Sequence, residues 1–312
     1  MKTERGTLLS YPGSRIRFAT QGDEVQFKIA PEGNIETLAL DVRVNDDDWA
    51  TVELNRYEPL TILVGGEENG MSVDIIRRNE AWQGNITLLD VSSFHGFVEP
   101  KPFPKTKFLF IGDSITAGAG TTSRLNDDGE REAVSNARLA YPRVLGDRLN
   151  AQVHHVAYGG RGLVRDWQGI TDTNNAPQFY DRVLPDDPDH LWDPQNYQAD
   201  IVSVMLGTND FNLGIPDRES WTQVYKGFVS RIRTDYPKAQ VFLISSPMTG
   251  GEKGEALKAY VKEVAGGFGT PSVQYLEVSQ YYGEAWDSHP TAAEHQKIAD
   301  ELEAAFRGAL NK

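Results

Sequence analysis

The sequence predicts a two-part fold: a jelly-roll-like β-sandwich over residues 1–103, then an α/β/α layer structure with a parallel sheet over 104–312. Three observations predict it. The first hundred residues alternate apolar and polar with period two and show no convincing helix pattern. A proline-rich seam, Glu99-Pro100-Lys101-Pro102-Phe103-Pro104, follows. Beyond it, buried-looking strands alternate with helical segments.

The strands come first. Val25, Phe27 and Ile29 alternate with Glu24, Gln26 and Lys28, and Leu38, Leu40, Val42 and Val44 with Ala39, Asp41 and Arg43. Shorter runs stand at 14–20, 50–54, 60–64, 71–77 and 85–91. Period two places one face in a core and the other in water. Gln21-Gly22-Asp23, Pro31-Glu32-Gly33-Asn34, 45–48 and 65–70 carry turn chemistry between the runs. About seven short strands with such turns suit a sandwich or jelly roll. Three prolines in the seam forbid a helix or a central strand there, which makes it the boundary. After it, 107–111, 153–157, 201–206, 241–245 and 272–278 read as buried strands, and 141–150, 218–236, 255–266 and 292–310 as helices. In the last, Ile298, Leu302, Ala305 and Phe306 share one face, and Thr291 with Glu294 forms a capping box. Alternating strands and helices imply a parallel sheet covered on both faces.

Composition narrows the function. The chain has 312 residues, 39% hydrophobic and 24% charged, an ordinary globular balance. Its net charge of −14 argues against nucleic acid or an anionic membrane as partner, since both need a basic face. There is no cysteine, which removes disulfides, thiol nucleophiles and Cys-zinc sites together. No apolar run is long enough for a membrane span. Met1–Gly6 is charged without an apolar stretch behind it, so no signal peptide is read. The expected compartment is cytoplasmic if Met1 is the native start, and secreted if a signal has been removed.

The chemistry concentrates at strand ends. Phe108–Ile111 is an apolar strand that runs into Gly112-Asp113-Ser114, and ligands of open α/β sheets bind beyond such ends. Read alone, the Ser or Asp is equally an ordinary helix cap. A serine nucleophile needs a base. Of six histidines, His154 and His155 fit strand packing, His190 lies in an acidic loop and His295 lies within the last helix. His95 falls in the sandwich. His289, in Trp286-Asp287-Ser288-His289-Pro290, follows the last strand and so reaches the same sheet edge as Ser114. Asp287 stands two residues before it and could hold its ring. Tyr158-Gly159-Gly160-Arg161 and Gly207-Thr208-Asn209-Asp210 end two further strands. A glycine N–H and an Asn amide suit a developing oxyanion, although each segment alone is also a common turn.

Together, Gly112-Asp113-Ser114, Gly159-Gly160, Gly207-Thr208-Asn209-Asp210 and Asp287-Ser288-His289-Pro290 resemble the four blocks of the SGNH (GDSL-type) hydrolase superfamily. The superfamily usually has DxxH. The DxHP spacing here looks like carbohydrate esterase family 2, as do IGDSITAGAG at 111–120, GGRGLVRD at 159–166, LGTNDF at 206–211 and Arg78-Asn79-Glu80 with Gly84. The resemblance implies a flavodoxin-like catalytic sheet behind a β domain. It implies Ser114 as nucleophile, His289 as base and then acid, and Asp287 as the orienting residue, a role that a backbone carbonyl takes in some members. Ser114 N–H, Gly160 N–H and Asn209 would form the oxyanion hole. The implied reaction removes O-acetyl groups from sugars, favouring the primary 6-position, with no metal or organic cofactor. A general short-chain acetylesterase or lipase-like hydrolase is the alternative, and a non-catalytic carbohydrate-binding protein a more distant one. Sugar rings stack on aromatic faces, so Trp192, Trp286, Tyr158 and Phe211 are candidate substrate contacts, and Arg161 a candidate donor to hydroxyls. The expected partner is an acetylated carbohydrate.

Overall fold

A computed structural model of the chain describes residues 1–33, 38–54, 58–66, 70–122, 124–125, 131–132 and 135–311, apart from the side chains of 124, 125, 131, 132 and 286. Ten strands come before the proline seam: β1 (Lys2–Thr3), β2 (Gly6–Leu9), β3 (Arg15–Thr20), β4 (Glu24–Glu32), β5 (Leu38–Val44), β6 (Ala50–Leu54), β7 (Leu60–Gly65), β8 (Met71–Arg77), β9 (Asn85–Ser92) and β10 (Phe97–Val98). They form two antiparallel five-stranded sheets, ordered β1-β2-β9-β4-β7 and β10-β3-β8-β5-β6. The seven expected runs are all strands. The period-two residues do what their spacing requires: Val25, Phe27 and Ile29 of β4 meet Leu40 and Val42 of β5 and Val73 and Ile75 of β8 in one apolar core. β2 was not expected, because Leu8-Leu9 breaks the alternation, and β1 and β10 are two-residue edge strands.

The third sheet is wholly parallel. It comprises β11 (Thr106–Gly112), β14 (Ala151–Ala157), β15 (Ile201–Met205), β16 (Gln240–Ile244) and β17 (Val273–Leu276), in the order β14-β11-β15-β16-β17. Between β11 and β14 in the chain, β12 (Arg124–Leu125) pairs antiparallel with β13 (Arg131–Glu132). The helices are α1 (Ser114–Ala117), α2 (Tyr141–Arg148), α3 (Ala176–Phe179), α4 (Thr208–Asn212), α5 (Arg218–Asp235), α6 (Gly251–Gly266) and α7 (Ala292–Leu310). Each face of the sheet has its own core, which is why the central strands β11, β15 and β16 read as nearly continuous apolar runs. On one face Leu109 and Ile111 pack with Trp221, Tyr225 and Val229 of α5 and Val261 of α6. On the other, Phe108 and Phe110 pack with Tyr141 of α2 and Ile298, Leu302 and Phe306 of α7. Burial of an aromatic such as Phe306 makes its truncation to Ala cost about 3–5 kcal/mol. The Thr291–Glu294 capping box starts α7. No helix among the described residues is long and apolar enough to cross a membrane.

Buried charge ties the antiparallel sheets to the parallel one. Asp41 on β5 is fully buried and receives Arg138 Nε at 2.5 Å and Arg78 Nη1 at 3.4 Å. Thr51 Oγ1 and Asn136 Nδ2 also donate to it, at 3.0 and 3.3 Å. Arg138 and Asn136 precede α2, so the cluster joins two parts of the chain. Removing one partner of such a buried pair typically costs about 3–5 kcal/mol.

Candidate active site

The chain leaves β11 for β14 on one side and later returns to β15 on the other. Their carboxyl ends therefore flank a topological switch point, the usual ligand crevice of an open sheet. Ser114 follows β11 as the first residue of the single-turn α1. Asp113 caps that turn, its Oδ1 accepting from Ile115 N–H at 3.1 Å. Full burial pushes the Asp113 carboxyl up to about 7, with the nearby Asp210 charge adding to the effect.

His289 arrives from the loop between β17 and α7. Its Nε2 lies 2.7 Å from Ser114 Oγ, within hydrogen-bond distance. Two consecutive residues before it, Asp287 and Ser288, have left-handed backbone, with φ of 53° and 57°. Each costs about 1 kcal/mol or more for a non-glycine residue, and such strain concentrates at functional sites. Ala285 N–H donates to His289 O at 2.8 Å and closes the turn. Asp287 is exposed at the mouth of the same pocket.

Gly160 ends the turn after β14 with φ of 77°, a conformation that favours glycine. Trp167 N–H donates to its carbonyl at 2.9 Å, and a Cβ there would meet the Trp167 ring at 2.9 Å. Asn209 sits on α4, and its Nδ2 donates to Arg161 O at 2.9 Å and faces Asp113 Oδ2 at 3.4 Å. The neighbouring Asp210 is buried and gathers the backbone N–H groups of Leu163, Val164 and Arg165. That clamp fixes the loop after Gly160 to the end of β15. Burial pushes the Asp210 carboxyl up even so.

These residues line one open pocket of about 1020 Å³. Ser114, Gly160, Arg161, Asn209, Asp287 and His289 all border it. So do Tyr158 and Phe211, but as walls. The Tyr158 ring is buried and its hydroxyl donates to Asp186 Oδ2 at 2.8 Å, and Phe211 is fully buried against Trp221 and Tyr260. The Arg161 guanidinium lies over the Tyr158 ring and reaches Asp166 Oδ2 at 3.4 Å. The side chain of Trp286 lies outside the described residues.

Trp192 is a correction. It does not border this pocket but a separate cavity of about 280 Å³, beside His154, His155, Tyr11 and Arg182. The reason is topological: Trp192 precedes β15, whereas the site lies beyond the carboxyl ends of the strands. Sequence reasoning also passed over three aromatics that rim the pocket, Trp82, Trp167 and Tyr281, which are 50%, 52% and 55% exposed. Trp167 follows the GGRGLVRD run directly, and Trp82 lies between Glu80 and Gly84 of the Arg78–Gly84 run. An exposed tryptophan beside a motif was the available signal. Glu80 and Gln83 reach the pocket from the same segment. Burial first, and the Asp113 charge after it, push the Glu80 carboxyl up to about 7.

The sequence profile of the GDSL-like lipase/acylhydrolase family matches residues 110–297. The acetylxylan esterase / glucomannan deacetylase of Cellvibrio japonicus is 33% identical over 280 residues, spanning 86% of this chain and 78% of that protein. The structure of a family two carbohydrate esterase from Cellvibrio japonicus superposes with a TM-score of 0.89 at 30% identity, covering 97% of this chain and 91% of that one. A family two carbohydrate esterase from Clostridium thermocellum, in complex with cellohexaose, gives 0.91 at 25% identity, with coverage of 99% and 96%. The chain belongs to the family two carbohydrate esterases, within the GDSL-like lipase/acylhydrolase family.

Proposed function

We propose that the protein is a serine esterase that removes O-acetyl groups from carbohydrates, with primary 6-O-acetyl esters as preferred substrates. The observation that carries this reading is the 2.7 Å contact between His289 Nε2 and Ser114 Oγ, in an open pocket at the switch point of the parallel sheet. Family membership supplies the substrate class, and the acetylxylan esterase / glucomannan deacetylase among the relatives supports it.

In the proposed mechanism, His289 Nε2 takes the Ser114 Oγ proton as Oγ attacks the acetyl carbonyl. The tetrahedral oxyanion is held by Ser114 N–H, Gly160 N–H and Asn209 Nδ2, whose amide is already aligned by Arg161 O. Collapse expels the sugar oxygen, which takes the proton back from His289. Water, deprotonated by His289, then attacks the acetyl-enzyme, and acetate leaves as Ser114 regains its proton. Asp287 is assigned the orienting role on its spacing from His289 and its place at the same pocket. Trp82, Trp167 and Tyr281 offer faces for sugar rings, and Arg161 a donor for hydroxyls.

The same reading divides the chain at 103/104 into a jelly-roll domain and a catalytic domain. The strand orders β2-β9-β4-β7 and β3-β8-β5-β6 support the jelly roll, because from β2 to β9 the chain alternates between the two sheets at every step except the β5–β6 pair, which stays in one sheet. The proline seam between β10 and β11 supports the boundary. The test is acetate release from an activated acetate ester and from an acetylated glycan, for wild type and Ser114→Ala. Wild type should hydrolyse both and the variant neither. Activity on longer acyl esters but not on the glycan would point to a general short-chain esterase, and retained activity in Ser114→Ala would end the mechanism.

A further inference from the structure

The turn that carries Gly160 is not held by the parallel sheet alone. A Cβ placed on Gly159 would lie 2.0 Å from Glu80 Oε2 and 3.1 Å from Trp82 Nε1. The space beside Gly159 is thus filled by a carboxyl that comes from the antiparallel sheets, between β8 and β9. That carboxyl is itself fixed. Ser135 Oγ donates to Glu80 Oε1 at 3.1 Å, and Gln83 Oε1 accepts from Glu80 N–H at 3.0 Å. Behind it, the buried Arg77 guanidinium donates to the carbonyls of Leu9, Glu80 and Gly84 at 2.8, 2.7 and 2.6 Å. These bonds pin the whole 77–84 segment. Glu80 is 4% exposed, so it offers little surface to a substrate.

We propose that Glu80 is a positioning residue: its carboxyl braces Gly159 and thereby fixes where the Gly160 N–H points. On the other side, Trp167 N–H holds Gly160 O at 2.9 Å, so the turn is gripped between the two halves of the chain. Losing one grip lets the donor drift, and a drift of about 1 Å in a catalytic constellation can cost up to ~10²-fold. The inference rests on the esterase reading above.

The experiment is steady-state hydrolysis of 4-nitrophenyl acetate by wild type, Glu80→Ala, Glu80→Asp and Glu80→Gln, with melting temperature recorded for each. Loss of an oxyanion donor's aim should appear in kcat and not in KM. Glu80→Ala is expected to lower kcat about tenfold or more with KM within about twofold. Gln fills the same space and should keep kcat within about threefold of wild type. Asp withdraws the carboxyl by one methylene and should fall between. A Glu80→Ala enzyme with wild-type kcat, a loss confined to KM, or a Gln variant as slow as Ala would each overturn the bracing. Should Glu80→Ala fail to fold, the Asp and Gln variants decide: equal kcat in Asp and wild type overturns the proposal, and a slow Asp beside a fast Gln upholds it. A wild type that releases no acetate would instead sink the esterase reading, and the proposal with it.

Discussion

Two cavities among the described residues contain histidine and aromatic rings, and they are arranged differently. In the cavity between the sheets, His154 stacks on Tyr197 with ring centroids 3.6 Å apart, and burial pushes its imidazole down to about 4. His155 is pushed down to about 3, again by burial, with Arg143 adding to it. Both stay neutral as packing groups. In the other, His289 faces a serine hydroxyl at the carboxyl edge of the sheet. Residue type is nearly the same in the two places. What differs is position relative to strand direction, which decides whether a histidine meets a serine hydroxyl in an open pocket or meets only a core.

Substitutions can break that comparison, starting with the histidines. His289→Ala should lower kcat by at least about 10³-fold, as loss of a triad base does, whereas His154→Ala should leave kcat/KM within about twofold. A large kinetic loss in His154→Ala would give the second cavity a catalytic role that the geometry does not support. Asp287→Ala should cost far less than His289→Ala if a backbone carbonyl shares the orienting work, and equal losses would establish a full triad. Asn209→Ala should lower kcat by roughly 10²–10³-fold, the usual loss for one oxyanion donor. A loss under threefold would remove Asn209 from the hole. Among the tryptophans, Trp167→Ala is expected to raise KM for an acetylated glycan several-fold. Trp192→Ala should lower the melting temperature with kcat/KM unchanged, and the reverse pattern would return Trp192 to the substrate list.

The smallest effect expected is on the pH dependence of stability. The folded Asp113 carboxyl titrates near 7, above its unfolded value. The proton it holds therefore stabilises the fold fully below the unfolded value, and this contribution is lost as pH rises through about 7. Asp113→Asn keeps an acceptor for Ile115 N–H and cannot ionise. Its melting temperature, minus that of wild type, should rise between about pH 5 and pH 8. A flat difference would mean that Asp113 titrates in the ordinary carboxylate range.

Much of this was legible in the sequence, for identifiable reasons. Strands with one wet face announced themselves by alternation, and those buried on both faces by nearly continuous apolar runs. β2 was hidden by its paired leucines. α1 and α4 were hidden because helices of four and five residues have no periodicity to read. Ser114, Gly160, Asn209 and His289 could be gathered in advance, since each follows a strand and the ends of parallel strands share one edge. Aromatic type alone does not say which end of a strand a ring sits at, and Trp192 precedes β15, a whole strand away from Asn209, so it borders the other cavity. Glu80 stands in the Arg78-Asn79-Glu80 run that resembles carbohydrate esterase family 2, but that run follows no strand of the parallel sheet and does not say where it packs. Glu80 reaches the pocket through the packing of one sheet system against another, which no local pattern encodes.

That packing has a consequence for recombination. Because Glu80, Trp82 and Gln83 reach the pocket from the first hundred residues, and Asp41 locks that portion to Arg138, the sheets before the seam are not an interchangeable appendage. A chimera that took them from another family member would import part of the pocket wall with them. Substrate preference would then be inherited from both parents of the hybrid rather than from the one that contributed the serine.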